Sequence, residues 1–315
     1  MPVYNTAITR DGSNDPLLPV EVSREVIKMA TQRSAVMGLA RTVPMASGAG
    51  RMPVLSVLPT AYWVSGDAGL KQTTTADWAN VSLTAEELAV LVPIPDAYIA
   101  DAQVDLGAEV KTLLAEAIAA AFDAAALFGT DKPTSYPTGG VYGHALAGGN
   151  TVVNGTGEDL ADEVAAVAEK IAEDGFAVNG FASKPGFTWK LNRLRSTDGI
   201  PIYQSNLQGG LGRSLYGFPL GEVANGAWDV SEALLIAGDW TKSIVGTRQD
   251  ITFTEHIDGV ISDADGKVVY NAMQQDSTIF RAVFRAGFAL ANPATRVGAG
   301  DKSPFGVVQA TTAAS

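Results

Sequence analysis

Residues 104–129, VDLGAEVKTLLAEAIAAAFDAAALFG, read as one long helix, and the rest of the chain is organised around it. Asp101 and Asp105 place negative charge at its N-terminal end, where the helix dipole favours it. Leu106, Val110, Leu113, Leu114, Ala117, Ile118, Ala121 and Ala125 recur at three- and four-residue spacing and predict one apolar face. The alanines raise helix propensity. Gly129 suits a left-handed cap, with Pro133 beyond it. About 24 residues rising about 1.5 Å each give a rod of about 36 Å, roughly twice an average globular helix. Glu109, Glu116 and Asp123 recur every seven residues and predict an acidic stripe, read either as a solvated face or as a contact stripe for a basic partner surface. A rod this rich in alanine lets neighbouring backbones come close, which suits a spine better than a catalytic scaffold.

The 315 residues suffice for one large or two medium domains. Hydrophobic residues make up 46% and charged residues 18%, a surplus of apolar side chains that burial between subunits would use. A net charge of -12 and a pI of about 4.6 argue against electrostatic binding of nucleic acid. With no cysteine, disulfides, thiol catalysis and cysteine-ligated zinc are excluded. The opening MPVYNTAITRDGSN lacks the basic-then-apolar pattern of a secretion signal. No uncharged apolar run is long enough to span a membrane, because Asp123 interrupts the longest candidate.

Residues 1–19 form a polar arm without periodicity, expected to order only against another subunit. Pro19 opens a short amphipathic helix over 20–33, and 36–44 have strand character. Residues 51–94 predict a long two-stranded ribbon: MPVLSVLP and TAYWVS lead out, 66–72 turn, and TTTADWANVSLTAEELAVLVPIP returns. Tyr62, Trp63 and Trp78 stand in it, and a two-stranded ribbon cannot bury such aromatics alone. It is therefore expected to project and pack on neighbours. After the spine, 130–154 read as a connector. A helix over 158–174, a strand over 176–183 and a helix over 187–195 then predict a small α/β domain. Further on, ITFTEHI and KVVYNAM flank the turn signal Asp263-Ala264-Asp265-Gly266, residues 280–290 predict a closing strand, and 297–315 read as a small-residue tail.

The chemistry of reaction centres is missing from this pattern. His144 and His256 stand in unrelated contexts, no G-x-S-x-G occurs, and neither histidine has metal-ligand spacing. Asp263-x-Asp265-Gly266 lacks the other ligands of a calcium loop and reads as a hairpin turn. Gly209-Gly210-Leu211-Gly212 lacks the strand–helix context of a phosphate loop. No catalytic residue, cofactor or metal is expected.

Taken together, LLPVEVSREVIKMATQRSAV (17–36), RMPVLSVLPTAYWVSGDAGLKQTT (51–74), LTAEELAVLVPIPDAYIADA (83–102) and the spine followed by LFGTDKPTSYPTG (127–139) resemble the tailed-bacteriophage major capsid proteins of the HK97 fold. The resemblance implies an α+β chain with an N-terminal arm (1–19), a P domain (20–47, 82–134 with the spine at 104–128, and 243–296), a projecting E-loop (48–81), an A domain (135–242) and a C-terminal tail (297–315). It implies a virion shell of hexamers and pentamers enclosing double-stranded DNA without specific binding, assembled in the host cytoplasm, with portal, scaffolding or decoration proteins as partners and no membrane. The expected inter-subunit contacts are the E-loop residues Trp63, Gly66, Asp67, Gly69, Lys71 and Gln72. Some relatives join an E-loop lysine to an asparagine of a neighbour. Here Lys71 is the lone E-loop lysine, and Asp276 and Ser277 stand where the partner would be, so no crosslink is expected. Encapsulin shells, which share the fold and enclose enzyme cargo, are the alternative; the arm over 1–19 favours the virus.

Overall fold

The computed structural model describes residues 34–64, 70–102, 105–195, 214–297 and 301–310. The expected arm, the helix expected over 20–33, and Gly66, Asp67 and Gly69 lie outside the described residues. In chain order, the elements begin with α1 (Ala35–Leu39), β1 (Arg41–Pro44), β2 (Ala49–Val57), β3 (Asp77–Thr84), β4 (Glu86–Pro95) and α2 (Asp96–Asp101). The spine is α3 (Leu106–Phe128), followed by α4 (Gly140–Ala147), β5 (Thr151–Val153), α5 (Leu160–Glu173), β6 (Gly180–Ser183) and α6 (Phe187–Asn192). The chain continues through β7 (Ser214–Leu215), β8 (Phe218–Glu222), β9 (Ala233–Gly238), β10 (Ser243–His256), β11 (Val260–Ser262), β12 (Val268–Asn271), β13 (Ser277–Leu290) and β14 (Phe305–Gln309). Two compact units divide it, one holding 87–120 and 249–285, the other 34–86, 121–248 and the chain from 286 on.

The spine forms for the reasons its sequence gives. Asp105 Oδ1 accepts from the Ala108 N–H at its start. At its end Gly129 takes φ +69° and its N–H donates to the Ala125 carbonyl at 3.1 Å. The buried face is the four-residue row Leu106, Val110, Leu114, Ile118 and Phe122, joined by Ala125, Ala126 and Leu127. Leu113, Ala117 and Ala121, expected on that face, are exposed. The close backbone approach the alanines allow occurs at the C-terminal turn. A Cβ on Gly140, which has φ +60°, would stand 2.5 Å from the Ala126 carbonyl oxygen.

In the second unit a six-stranded sheet has the order β5-β14-β9-β6-β8-β7. Helix α5, capped by Asp159 through the Ala161 and Asp162 N–H groups, turns Val164, Val167 and Ile171 into a core with Phe181, Phe187, Leu191, Leu220 and Leu235. Strand β14 is a correction to the expected tail. It pairs parallel to β5 and antiparallel to β9, with Phe305, Val307 and Val308 wholly buried. FGVVQ gives no alternation because both its faces are covered, and Gly306 is needed where a Cβ would meet Val167 at 2.7 Å. The expected connector over 130–154 likewise contains α4 and β5.

The same unit carries the ribbon. β2 and β3 pair antiparallel, with Met52 opposite Val81 and Leu55 opposite Trp78. At the ribbon foot, Met52, Val54 and Val81 pack on a core of Met45, Leu83, Ile244, Ala289 and Ala291. Residues 60–64 of TAYWVS form no strand. Residues 36–44, expected as one strand, instead form α1 and then β1, because Ser34 caps a helical turn by accepting from the Met37 N–H at 3.1 Å. Strand β1 runs parallel to β10, starting from the pair Arg41 and Ile244.

In the first unit the turn signal at 263–266 does close a hairpin, with Gly266 at φ +80°. Its arms are β11 and β12, paired Ile261 to Tyr270, whereas ITFTEH (251–256) belongs to the long β10. Tyr270, Ala272 and Ile279 form the small core there. The expected closing strand is β13, of which 277–285 fall in this unit; the four-stranded sheet to which it belongs has the order β1-β10-β13-β4.

Candidate assembly surface

An assembly surface needs apolar side chains held out to solvent by a rigid base. The ribbon supplies both. Its foot is fixed by the Met45–Leu83 core and by two bonds from the chain beyond β13: Ala294 N–H donates to the Leu55 carbonyl at 2.9 Å, and the Arg296 guanidinium to the Pro59 carbonyl at 2.9 Å. Toward the tip, the Tyr62 hydroxyl donates to the Gln72 carbonyl at 2.7 Å and ties the outgoing and returning segments together. Beyond that tie Trp63 is 101% exposed and Leu70 90%, and Trp78 on β3 is 66% exposed. Lys71 and Gln72 are also exposed. The structure therefore brings Trp63, Lys71 and Gln72 to one end of the ribbon. A cleft of about 440 Å³ opens at the foot, lined by Arg41, Met52, Val54, Lys242, Ile244 and Ala291.

The expected acidic stripe does not survive as three residues. Glu109 and Glu116 are half-buried, and Asp123 is 0% exposed. Its carboxylate accepts from the Ser34 hydroxyl at 2.5 Å, the Ala35 N–H at 3.0 Å, the Val36 N–H at 3.3 Å and the Asn225 amide at 2.9 Å. Asp123 thus anchors the N-terminus of α1 on the spine, where a helix favours an anion. Burial raises its pKa above 3.8, and the four donors only partly oppose that shift. Heptad spacing could not separate an exposed acid from a buried one, because the donors that pair with Asp123 lie 87 or more residues away in sequence.

Each histidine lies beside a hydroxyl. His144 Nδ1 lies 2.8 Å from the hydroxyl of Ser303, which is wholly buried, and burial lowers the histidine's pKa. Ser303 Oγ in turn accepts from the Phe305 N–H, so the pair anchors the entry to β14. His256 sits beside Thr254 at 3.2 Å. Among the described residues no acidic, histidine or cysteine cluster could hold a metal, and no helix is long and apolar enough to cross a membrane.

Sequence reasoning missed Leu113, Trp189, Tyr216 and Phe218 as exposed apolar groups. For Trp189 a signal was present. Phe187 and Leu191, four apart in α6, are buried, and a residue midway between them faces outward. Tyr216 and Gly217, at φ +51° and +84°, form a two-residue turn between β7 and β8 that lifts the Tyr216 ring from the sheet.

The family model described as the phage capsid family matches residues 15–296. The major capsid protein of Staphylococcus phage 80alpha is 24% identical over 283 residues, spanning 88% of this chain and 83% of its own. A solved chain from Microbacterium phage Oxtober96 is 32% identical with a TM-score of 0.82, covering 93% of this chain and 96% of that one. One from Mycobacterium phage Adephagia is 30% identical, also at 0.82, covering 96% and 98%.

Proposed function

Since the chain belongs to the phage capsid family and is a major capsid protein of a tailed phage with the HK97-like α+β fold, we propose that its copies build hexamers and pentamers of an icosahedral shell through the projecting ribbon. It is a virion component and a homo-oligomer. In this reading 48–81 are the E-loop, 135–242 the body of the A domain, and the spine with β4, β10 and β13 the P domain. Trp63, Lys71 and Gln72 of one copy lie on the next, and Gly66, Asp67 and Gly69 belong to the same tip. The shell encloses double-stranded DNA without gripping it, consistent with a net charge of -12. It is assembled in the host cytoplasm, with portal and scaffolding or decoration proteins as partners, and carries no catalytic activity. The relatives support this virion reading over the encapsulin alternative.

The observation that carries the ribbon's role is Trp63, 101% exposed beyond a foot that is itself packed and hydrogen-bonded. A tryptophan in that position gains burial only from another molecule. Electron micrographs of purified wild-type chain should show closed particles, and Trp63→Ala should yield folded subunits with few particles. Normal particle yield from Trp63→Ala would overturn the ribbon's role, and wild-type chain that never assembles would overturn the shell.

A further inference from the structure

One segment breaks the acidic character of the chain. Residues 176–195, FAVNGFASKPGFTWKLNRLR, carry four cations and no acid; against a total of -12 the remainder carries -16. Lys184 follows β6, and α6 then brings Lys190 back beside it. Burial lowers the Lys184 pKa, and the neighbouring Lys190 ammonium adds to that shift. Among the described residues no ion pair joins Lys184, Lys190 or Arg193 to a carboxylate. Glu222, at the end of β8, is engaged by Thr188, whose N–H and hydroxyl both donate to Oε1 at 2.9 and 2.6 Å. Beside the lysines Trp189 is 62% exposed. Among the described residues, two neighbouring ammonium groups and a bare indole form a surface that no carboxylate pairs with.

Its complement lies in the same unit. β6 and β8 run parallel, Ser183 opposite Glu222, so the lysines sit at the carboxyl end of this pair. At the amino end of β8 the Tyr216–Gly217 turn projects, and the Tyr216 hydroxyl donates to the Ala161 carbonyl of α5 at 3.4 Å. Asp159 and Asp162 are close enough to that hydroxyl to raise its pKa, after burial, and Glu158 precedes them. Tyr216 and Phe218 are exposed here. The cationic, indole-bearing end and the acidic, aromatic end are thus separated by β8, about 13 Å at about 3.3 Å per residue. Opposite charges at opposite ends of one body are what a head-to-tail contact between identical copies requires, and such a contact closes into a ring when its rotation permits.

We propose that Lys184, Lys190 and Trp189 of one copy dock on Glu158, Asp162 and Tyr216 of the next copy. This rests on the shell reading and adds a contact separate from the ribbon. It relieves the repulsion between the two lysines, so it should favour assembly and weaken with salt.

The test is a charge exchange in the full chain. Asp159 is left in place because it caps α5. Lys184→Glu with Lys190→Glu, and separately Glu158→Lys with Asp162→Lys, should each keep the wild-type circular dichroism, the second melting lower because Asp162 Oδ2 accepts from the Glu158 N–H in the first turn of α5, yet lower the particle yield about tenfold or more, as expected when several rim pairs turn repulsive together. The chain carrying all four changes restores every pair and should recover most of the yield. Normal yield from either double variant, or no recovery from the quadruple variant while all three fold, would overturn the contact. So would a folded lysine variant that assembles normally but loses wild-type retention on a double-stranded DNA oligonucleotide, since the lysines would then serve phosphate. A wild-type chain that forms no particles would instead count against the shell reading itself.

Discussion

Replacing Asp123 tests the buried contact that holds the start of α1 on the spine. Its carboxylate holds four donors, two of them the Ala35 and Val36 N–H groups that open α1. In Asp123→Ala, water can reach the half-buried Ser34, Ala35 and Asn225 groups, but the buried Val36 N–H loses its acceptor. At about 1–3 kcal/mol for that stranded group, the loss should be about 1–3 kcal/mol. Asp123→Asn keeps the shape and loses the charge, so about 1–2 kcal/mol is expected at neutral pH. The carboxyl's pKa in the folded chain is raised above 3.8 by burial. A raised value means that its contribution is fully present below about 3.8 and is lost as pH rises through the folded value. The deficit of Asp123→Asn, which does not titrate, should therefore be larger at pH 4 than at pH 7. Urea unfolding of the unassembled subunit at both pH values, followed by fluorescence, measures this. A loss below about 1 kcal/mol for Asp123→Ala, or an Asn deficit that grows with pH, would refute the reasoning.

Two further outcomes are expected. Gly140→Ala, which must fit a Cβ 2.5 Å from the Ala126 carbonyl at φ +60°, should lower the melting temperature far more than Gly149→Ala, where φ is +72° but the space is open; equal shifts would mean that φ alone matters. Particles boiled in SDS should run as one band near 32.7 kDa, since Asp276 has left-handed backbone with φ +42° and Ser277 is buried, neither offering an amide side chain to Lys71; a surviving ladder that Lys71→Arg removes would show a covalent joint.

By itself the sequence determined the spine, the α5 helix, the pairing of the ribbon's inner strands and the closing strand. Each of these is long, carries a periodic apolar pattern or has local stop signals, so the information lies within a few turns or pairs. The exposure of Trp63 was legible for the same reason, because a two-stranded ribbon has too few neighbours to cover an indole. Tertiary structure alone decided three things. Strand β14 is recognisable only once β5 and β9 stand on either side of it, since a strand covered on both faces loses alternation. The direction of the spine's apolar face shifted toward Phe122 and left Leu113 in solvent, because the neighbours that bury Phe122, Tyr136 and Phe288 among them, arrive from distant segments. Asp123 left the expected acidic stripe for the same reason. A carboxylate is buried when donors converge on it, and Ser34 and Asn225 converge from opposite sides of the sequence. Periodicity fixes what lies along an element, whereas burial depends on what folding brings across it.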